Sequence, residues 1–244
     1  MGISFQTIGM RSLDLTNRNL WLVLVLAAYG ILLWQIPCIF VPESAVSESA
    51  MAARADVELI TILLSLPIGA LLYTIGLGWI KNKLIVGLYD KKTDSGFVEA
   101  REILRDYFLP VFRIEAISIG LLVAGIMLRT PLLLLYMFPA VCLMFLQAYA
   151  VLYRCSVRES FCDSLEIITN HLPALAAWIC AFGGFLTLQL LMRIGTNPGI
   201  GLRMALCFTD AYIQVFLFAV AMNFFISVFG KVRPDFAQDR MTIF

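Results

Sequence analysis

Charge is scarce in this 244-residue sequence. Asp, Glu, Lys and Arg make up 14% of it, where a soluble domain carries about 25%. The basic and acidic residues nearly cancel, leaving a net charge of +1, so no basic field argues for nucleic acid. Histidine is almost missing. The single His171 lies at the start of an apolar run, away from any membrane-buried serine that it would have to activate as a base. It reads as an interfacial structural residue. Six cysteines, Cys38, Cys142, Cys155, Cys162, Cys180 and Cys207, form no C-x-x-C pair. Their spacings fit no usual zinc pattern, and they read as small apolar packing residues. There is also no H-E-x-x-H, no phosphate-binding loop and no pair of intramembrane aspartates. The expectation is a protein without enzymatic chemistry, cofactor or metal.

Apolar residues are abundant. They make up 61% of the chain, and the mean hydropathy is +0.88. Disorder requires the opposite composition. Six apolar runs stand out: 19–40, 58–80 (extending toward Tyr89), 111–128, 131–153, 173–193 and 202–229. Each is long enough to cross a hydrocarbon core of about 30 Å as a helix. The runs are continuously apolar, without the alternation of membrane strands. The fold class is therefore all-α: a single integral membrane domain over residues 1–244 with six transmembrane helices. The first run exceeds the 7–15 residues of a signal-peptide core and reads as a retained span. The connector 42–57, rich in Ser and Ala, reads as solvated.

Basic residues give an orientation. Arg11, Arg18, Lys81, Lys83, Lys91, Lys92, Arg101, Arg105, Arg113, Arg154, Arg158, Lys231, Arg233 and Arg240 fall on one side. Arg54, Arg129, Arg193 and Arg203 fall on the other. Loops rich in Lys and Arg stay cytoplasmic, so both termini are expected in the cytoplasm.

The chain also matches itself. A shift of 64 residues aligns Leu88-Tyr89 with Leu152-Tyr153, Phe97 with Phe161, and Glu102-Ile103 with Glu166-Ile167. It further aligns Gly120 with Gly184, Leu122 with Leu186 and Arg129 with Arg193. Similarity at a fixed offset indicates a duplicated unit. In the first copy Phe97, Ala100, Leu104 and Phe108 recur at helical spacing, opposite Glu99, Arg101, Glu102, Arg105 and Asp106. In the second, Phe161, Leu165, Ile168 and Leu172 do so, opposite Asp163, Glu166 and Asn170. Ser156 and Glu159 have the spacing of a capping box. Both segments read as amphipathic helices in the cytoplasmic interface. A fainter third copy begins near Phe5, Ile8, Leu13 and Leu15. The repeat units run roughly over 1–90, 91–154 and 155–244, each an amphipathic helix with a transmembrane hairpin.

This layout resembles a broad bacterial group of six-span membrane proteins. The group includes the membrane domain attached to some glycerophosphodiester phosphodiesterases. The resemblance rests on the Leu-Tyr, Phe and Glu-Ile positions above. It implies a fold and a bacterial inner-membrane location, but no reaction, because no phosphodiesterase catalytic domain accompanies it.

Within the spans, Asp210 is the residue whose burial most needs a partner. Gln214 and Arg203 share its helix face, and Arg193 and Gln189 can reach its depth from the preceding span. This group reads as a polar solute, ion or proton site, as a structural pair locking the last hairpin, or as a contact with a partner subunit. Glu115, close to Arg113, is expected to reach back toward the cytoplasm. Gln35, Gln147 and Gln189 are expected to hydrogen-bond between helices. Gly87, Gly120, Gly125, Gly183 and Gly184 are expected to permit close packing. On the amphipathic helices, Glu99, Glu102, Arg105, Asp163 and Glu166 are expected to contact a partner.

Two functions remain. One is a non-enzymatic scaffold, assembly or accessory subunit, whose partners are the lipid bilayer and a protein subunit or second copy. The other is a transporter or permease subunit with cytoplasmic coupling helices and a polar site at Asp210.

Overall fold

The apolar runs become helices because continuous Leu, Ile, Val and Phe leave the backbone no polar partner except itself. In the computed structural model the described residues are 5–40, 48–89, 96–127, 132–171, 173, 176–178, 180–185 and 199–229. Seven helices follow one another: α1 (Phe5–Arg18), α2 (Leu20–Phe40), α3 (Glu48–Tyr89), α4 (Gly96–Met127), α5 (Leu132–Tyr153), α6 (Val157–Asn170) and α7 (Ile200–Phe229). A shorter apolar helical segment, Ala176–Phe185, lies between α6 and α7. No strand occurs among the described residues.

Among the described residues four stretches are long and apolar enough to cross a membrane: Leu20–Pro37, Leu59–Leu84, Ala100–Ala124 and Ile200–Val228. Pro139–Tyr153 and Val157–Ser164 make a fifth if that pair, bent by 115°, is counted as one. Their outer surfaces expose Leu24, Leu32, Leu64 and Ile68. Water would penalise so much apolar surface, and lipid does not. The chain is a helical membrane protein.

The core is built around α7. Of its apolar stretch 61% is buried, against 17–33% for the other three. From Leu217 to Phe225 every residue is buried, so this half of α7 is covered on all sides. Phe145 and Tyr149 of α5 pack edge-on against Phe225 at 6.2 and 5.1 Å. Trp178 and Phe182 surround Phe216 at 5.8 and 5.7 Å, and His171 meets Phe224 at 6.0 Å. The His171 ring therefore contributes to this aromatic packing.

Helix ends follow local chemistry. The Asn19 N–H reaches back three residues to the Thr16 carbonyl at 2.9 Å, while its side-chain amide donates to the Leu15 carbonyl at 2.7 Å. Side chain replaces backbone at the Leu15 carbonyl, and α1 stops there. The expected capping box is present at α6: Glu159 Oε2 accepts from the Ser156 N–H at 3.0 Å, and Ser156 Oγ accepts from the Glu159 N–H at 3.4 Å.

Three expectations are corrected. Residues 48–57 of the supposed solvated connector belong to α3. The amphipathic segment before the third run is not a separate helix, because α4 continues through it and through Pro110. A proline removes one backbone bond, and neighbouring helices compensate for the loss in a membrane bundle. The buried stripe there is Ile103, Tyr107, Val111 and Ile114, one position away from the stripe read through Leu104 and Phe108. On α6 the bundle-facing residues are Ser160 and Ser164, while Phe161 is exposed. Small hydroxyl side chains at Ser160 and Ser164 permit close approach of the neighbouring helices, and the side chains of Leu165, Ile168 and Leu172 lie outside the described residues. The two repeat copies also differ, with α4 continuous and the second copy turning at His171.

Of the glycines expected to permit close packing, Gly183 is buried, but Gly120 and Gly184 are open. A Cβ on Gly120 or Gly184 would meet nothing within 4 Å, whereas one on Gly78 would lie 2.4 Å from Ile103 Cγ2. The surroundings of Gly87 and Gly125 lie outside the described residues.

Candidate functional site

The tight Gly78–Ile103 contact brings α3 against α4 and carries Lys81, one turn further along α3, into the bundle. Lys81 is only 7% exposed. Its ammonium donates to the Tyr107 hydroxyl of α4 at 2.8 Å and to the Val151 carbonyl of α5 at 2.7 Å. Val151 is in the last turn of α5, where carbonyls have no partner within the helix and the dipole favours a cation. Lys81 thus caps α5 from a different helix. Arg154 follows with φ of 52°, the left-handed conformation that commonly ends a helix. Its guanidinium pairs with Asp106, which also pairs with Arg105 at 3.2 Å. Lys81 and Arg154 lie 4.7 and 5.9 Å from the Tyr107 ring, so two cations share one aromatic side chain. The sequence reading counted both only as cytoplasmic charges. Their role as helix locks depends on contacts between residues 26 to 70 apart, which no local pattern carries.

A second polar group joins α1, α2, α3 and α7. Asn223 of α7 donates to Ser12 Oγ of α1 at 3.0 Å, both being buried. Tyr212 donates to Asn17 Oδ1 at 2.9 Å. Trp79 Nε1 donates to Asn19 Oδ1 at 3.1 Å. Trp21 packs edge-on against Trp79 at 5.3 Å, and the Lys83 ammonium sits 5.4 Å from the Trp79 ring. Aromatic and basic side chains gathered in this way are typical of the membrane–water boundary.

The residues singled out around Asp210 are only partly brought together. Asp210 is half-buried on α7. Gln214, one turn on, accepts a hydrogen bond from the Tyr73 hydroxyl of α3 at 3.2 Å. Arg203 is buried, with its guanidinium 5.3 Å from the Trp34 ring of α2. Arg193 and Gln189 lie outside the described residues. A shallow apolar groove of about 540 Å³ runs between α2 and α7, lined by Leu24, Ala27, Ile31, Met204 and Phe208.

Of the residues expected to meet a partner, Glu102, Arg105 and Glu166 are exposed. Asp163 is exposed but tied inward, accepting from the Tyr149 hydroxyl of α5 at 3.3 Å. The side chain of Glu99 lies outside the described residues. Glu159 at the start of α6 is exposed, and the Ser156 backbone N–H and then its hydroxyl hold its carboxyl below the ordinary value of 4.5.

Gln147 makes the interhelical contact expected of it. Its Nε2 donates to Glu115 Oε2 at 2.8 Å. Glu115 is held by α5, where reaching back toward the cytoplasm was expected.

No family model, curated protein or solved structure matches this chain. Among the described residues, no group of His, Cys, Asp and Glu is placed to hold a metal ion.

Proposed function

We propose that this protein is a non-enzymatic, multi-pass inner-membrane subunit that acts as a scaffold, assembly or accessory component of a larger complex. The observation that carries this reading is how polar side chains are used inside the apolar helices. Ser12–Asn223, Asn17–Tyr212 and Lys81–Tyr107 each join two helices, and Asn19–Trp79 ties the α1–α2 junction to α3. Such bonds contribute about 0.6 kcal/mol each on average in membranes. They favour a fixed bundle over a gated one. A fixed bundle that presents exposed acidic and basic residues on α4 and α6 suits a partner at the cytoplasmic face.

In this reading the chain crosses a bacterial inner membrane six times, with both termini in the cytoplasm. The spans are α2, α3, α4, α5, the run 173–193 and α7. The first-order arrangement is three units of an amphipathic helix followed by a hairpin, as in the six-span group that the sequence resembles. Purification from native membranes in mild detergent, with native mass spectrometry of the intact assembly, tests it. A stoichiometric protein partner that co-purifies, and is lost when Glu102, Arg105 and Glu166 are reversed in charge, supports the subunit. A lone chain with wild-type behaviour in all three variants overturns it.

A second reading is a transporter or permease subunit with a polar site at Asp210. The Tyr73–Gln214 contact favours it, because it directs a polar group from this stripe of α7 toward another span. Under this reading Asp210→Asn abolishes solute or proton movement in reconstituted vesicles while leaving folding intact. A partner ATPase in the purified assembly would place this reading first.

A further inference from the structure

Glu115 is a carboxyl group in an apolar stretch. The continuity of α4 places it two turns beyond Tyr107, inside the apolar run 111–128, where an ionisable residue is costly. Its neighbour across the helix pair is Gln147, which is 2% exposed. Gln147 Nε2 donates to one carboxyl oxygen of Glu115 at 2.8 Å. The other end of the same amide, Gln147 Oε1, is buried and has no hydrogen-bond partner among the described residues. Covalent geometry keeps that oxygen within about 5 Å of the bonded carboxyl oxygen.

An ionised carboxylate only accepts hydrogen bonds, so it has nothing to offer an amide carbonyl. A protonated carboxyl does. Its O–H donates to Gln147 Oε1 while its other oxygen keeps the bond from Nε2–H, and the two groups close into a two-bond acid–amide ring. The half already present is the N–H leg. We propose that Glu115 and Gln147 form an intramembrane proton-binding site in which one proton from water neutralises Glu115 and satisfies the buried Gln147 carbonyl. Release of that proton reopens the ring and leaves a single N–H bond to the carboxylate. The step moves one proton and breaks no other bond.

The surroundings are largely neutral. The Tyr29 hydroxyl of α2 is engaged elsewhere, donating to the Ser65 carbonyl of α3 at 2.8 Å. Lys81 of α3 is held at Tyr107 of α4, and Asp163 of α6 accepts from Tyr149 of α5. Arg113 of α4 itself is exposed. This inference stands apart from the scaffold reading, since a proton site is compatible with either a fixed subunit or a carrier.

Infrared difference spectroscopy of the full chain in lipid, stepped between about pH 4 and about pH 10, reads the site directly. The expected result is a protonated-carboxyl stretch that appears on acidification and is missing in Glu115→Gln. In Gln147→Leu the same band moves to higher frequency, because the O–H loses its acceptor. Modification of the wild-type protein by a hydrophobic carbodiimide, mapped by mass, supplies a second measurement that needs no variant. The adduct at Glu115 should form at least tenfold faster at the acidic end of that range than at the alkaline end. A Glu115 that stays protonated or stays ionised throughout overturns the proposal. So does a band or adduct that responds to sodium at fixed pH, which would replace the proton by a metal cation.

Discussion

The ammonium of Lys81 lies 2.7 Å from the carbonyl oxygen of Val151, at the end of a helix two elements away in sequence. A cation that sequence counting assigns to a loop thereby becomes the cap of α5. It holds the point at which the chain bends by 115° into α6. Arg154 and Asp106 close the other side of the same joint.

Lys81→Met should therefore destabilise the bundle although it removes a buried charge. The Val151 carbonyl would lose its donor from Lys81, at a cost of about 1–3 kcal/mol. Thermal unfolding in detergent is the check. An unchanged melting temperature would count against the cap.

Gly78→Ala probes the α3–α4 contact. Its new methyl would lie 2.4 and 2.9 Å from Ile103 Cγ2 and Cγ1. Ile103 is β-branched and cannot swing those atoms away freely. Overpacking of this kind costs about 1–3 kcal/mol. Ile103→Ala in the Gly78→Ala background should return most of that stability, so the double variant melts above the sum of the two single effects.

The Ser12–Asn223 bond fastens α1 to the most buried half of α7. Asn223→Ala is expected to cost about 0.6–1.7 kcal/mol. The direct readout is limited trypsin digestion at Arg11 and Arg18, which should accelerate as α1 detaches. Ser12→Ala should give a similar increase, and the pair together little more than either alone.

The Glu159 cap predicts a pH dependence confined to α6. Its carboxyl is held low by the Ser156 N–H and hydroxyl, so the folded form binds its proton less readily than the unfolded form. The cap is intact above the ordinary carboxylate value and is lost as pH falls through the depressed folded value. Hydrogen exchange of residues 157–160 should rise over that acidic window in the wild type. Glu159→Gln should show no such step.

Much of this protein is legible from the chain. Continuous apolar runs dictate helices wherever a backbone must satisfy itself, and α2, α5 and α7 begin and end within about two residues of where those runs do. The Ser156–Glu159 box is local chemistry and appears as read. Gln147 behaves as an interhelical donor because an amide in an apolar helix has no other outlet. The repeat signal, by contrast, says which segments share ancestry-like spacing and not whether a helix breaks. One copy runs unbroken as α4 and the other turns at His171.

Position along the sequence could not reveal what depends on contact at a distance. Helix periodicity puts Phe161 and Leu104 on an apolar face, but Ser160, Ser164, Ile103 and Tyr107 are the residues that meet the bundle. The choice depends on how closely the neighbouring helix approaches. Glu115 and Gln147 are 32 residues apart, and Lys81 and Val151 are 70 apart. Sequence alone determined that this is a helical membrane chain with scarce, costly polar groups. Only tertiary packing decided which of those groups meet, because a buried donor or acceptor is stabilised by whichever partner the fold delivers.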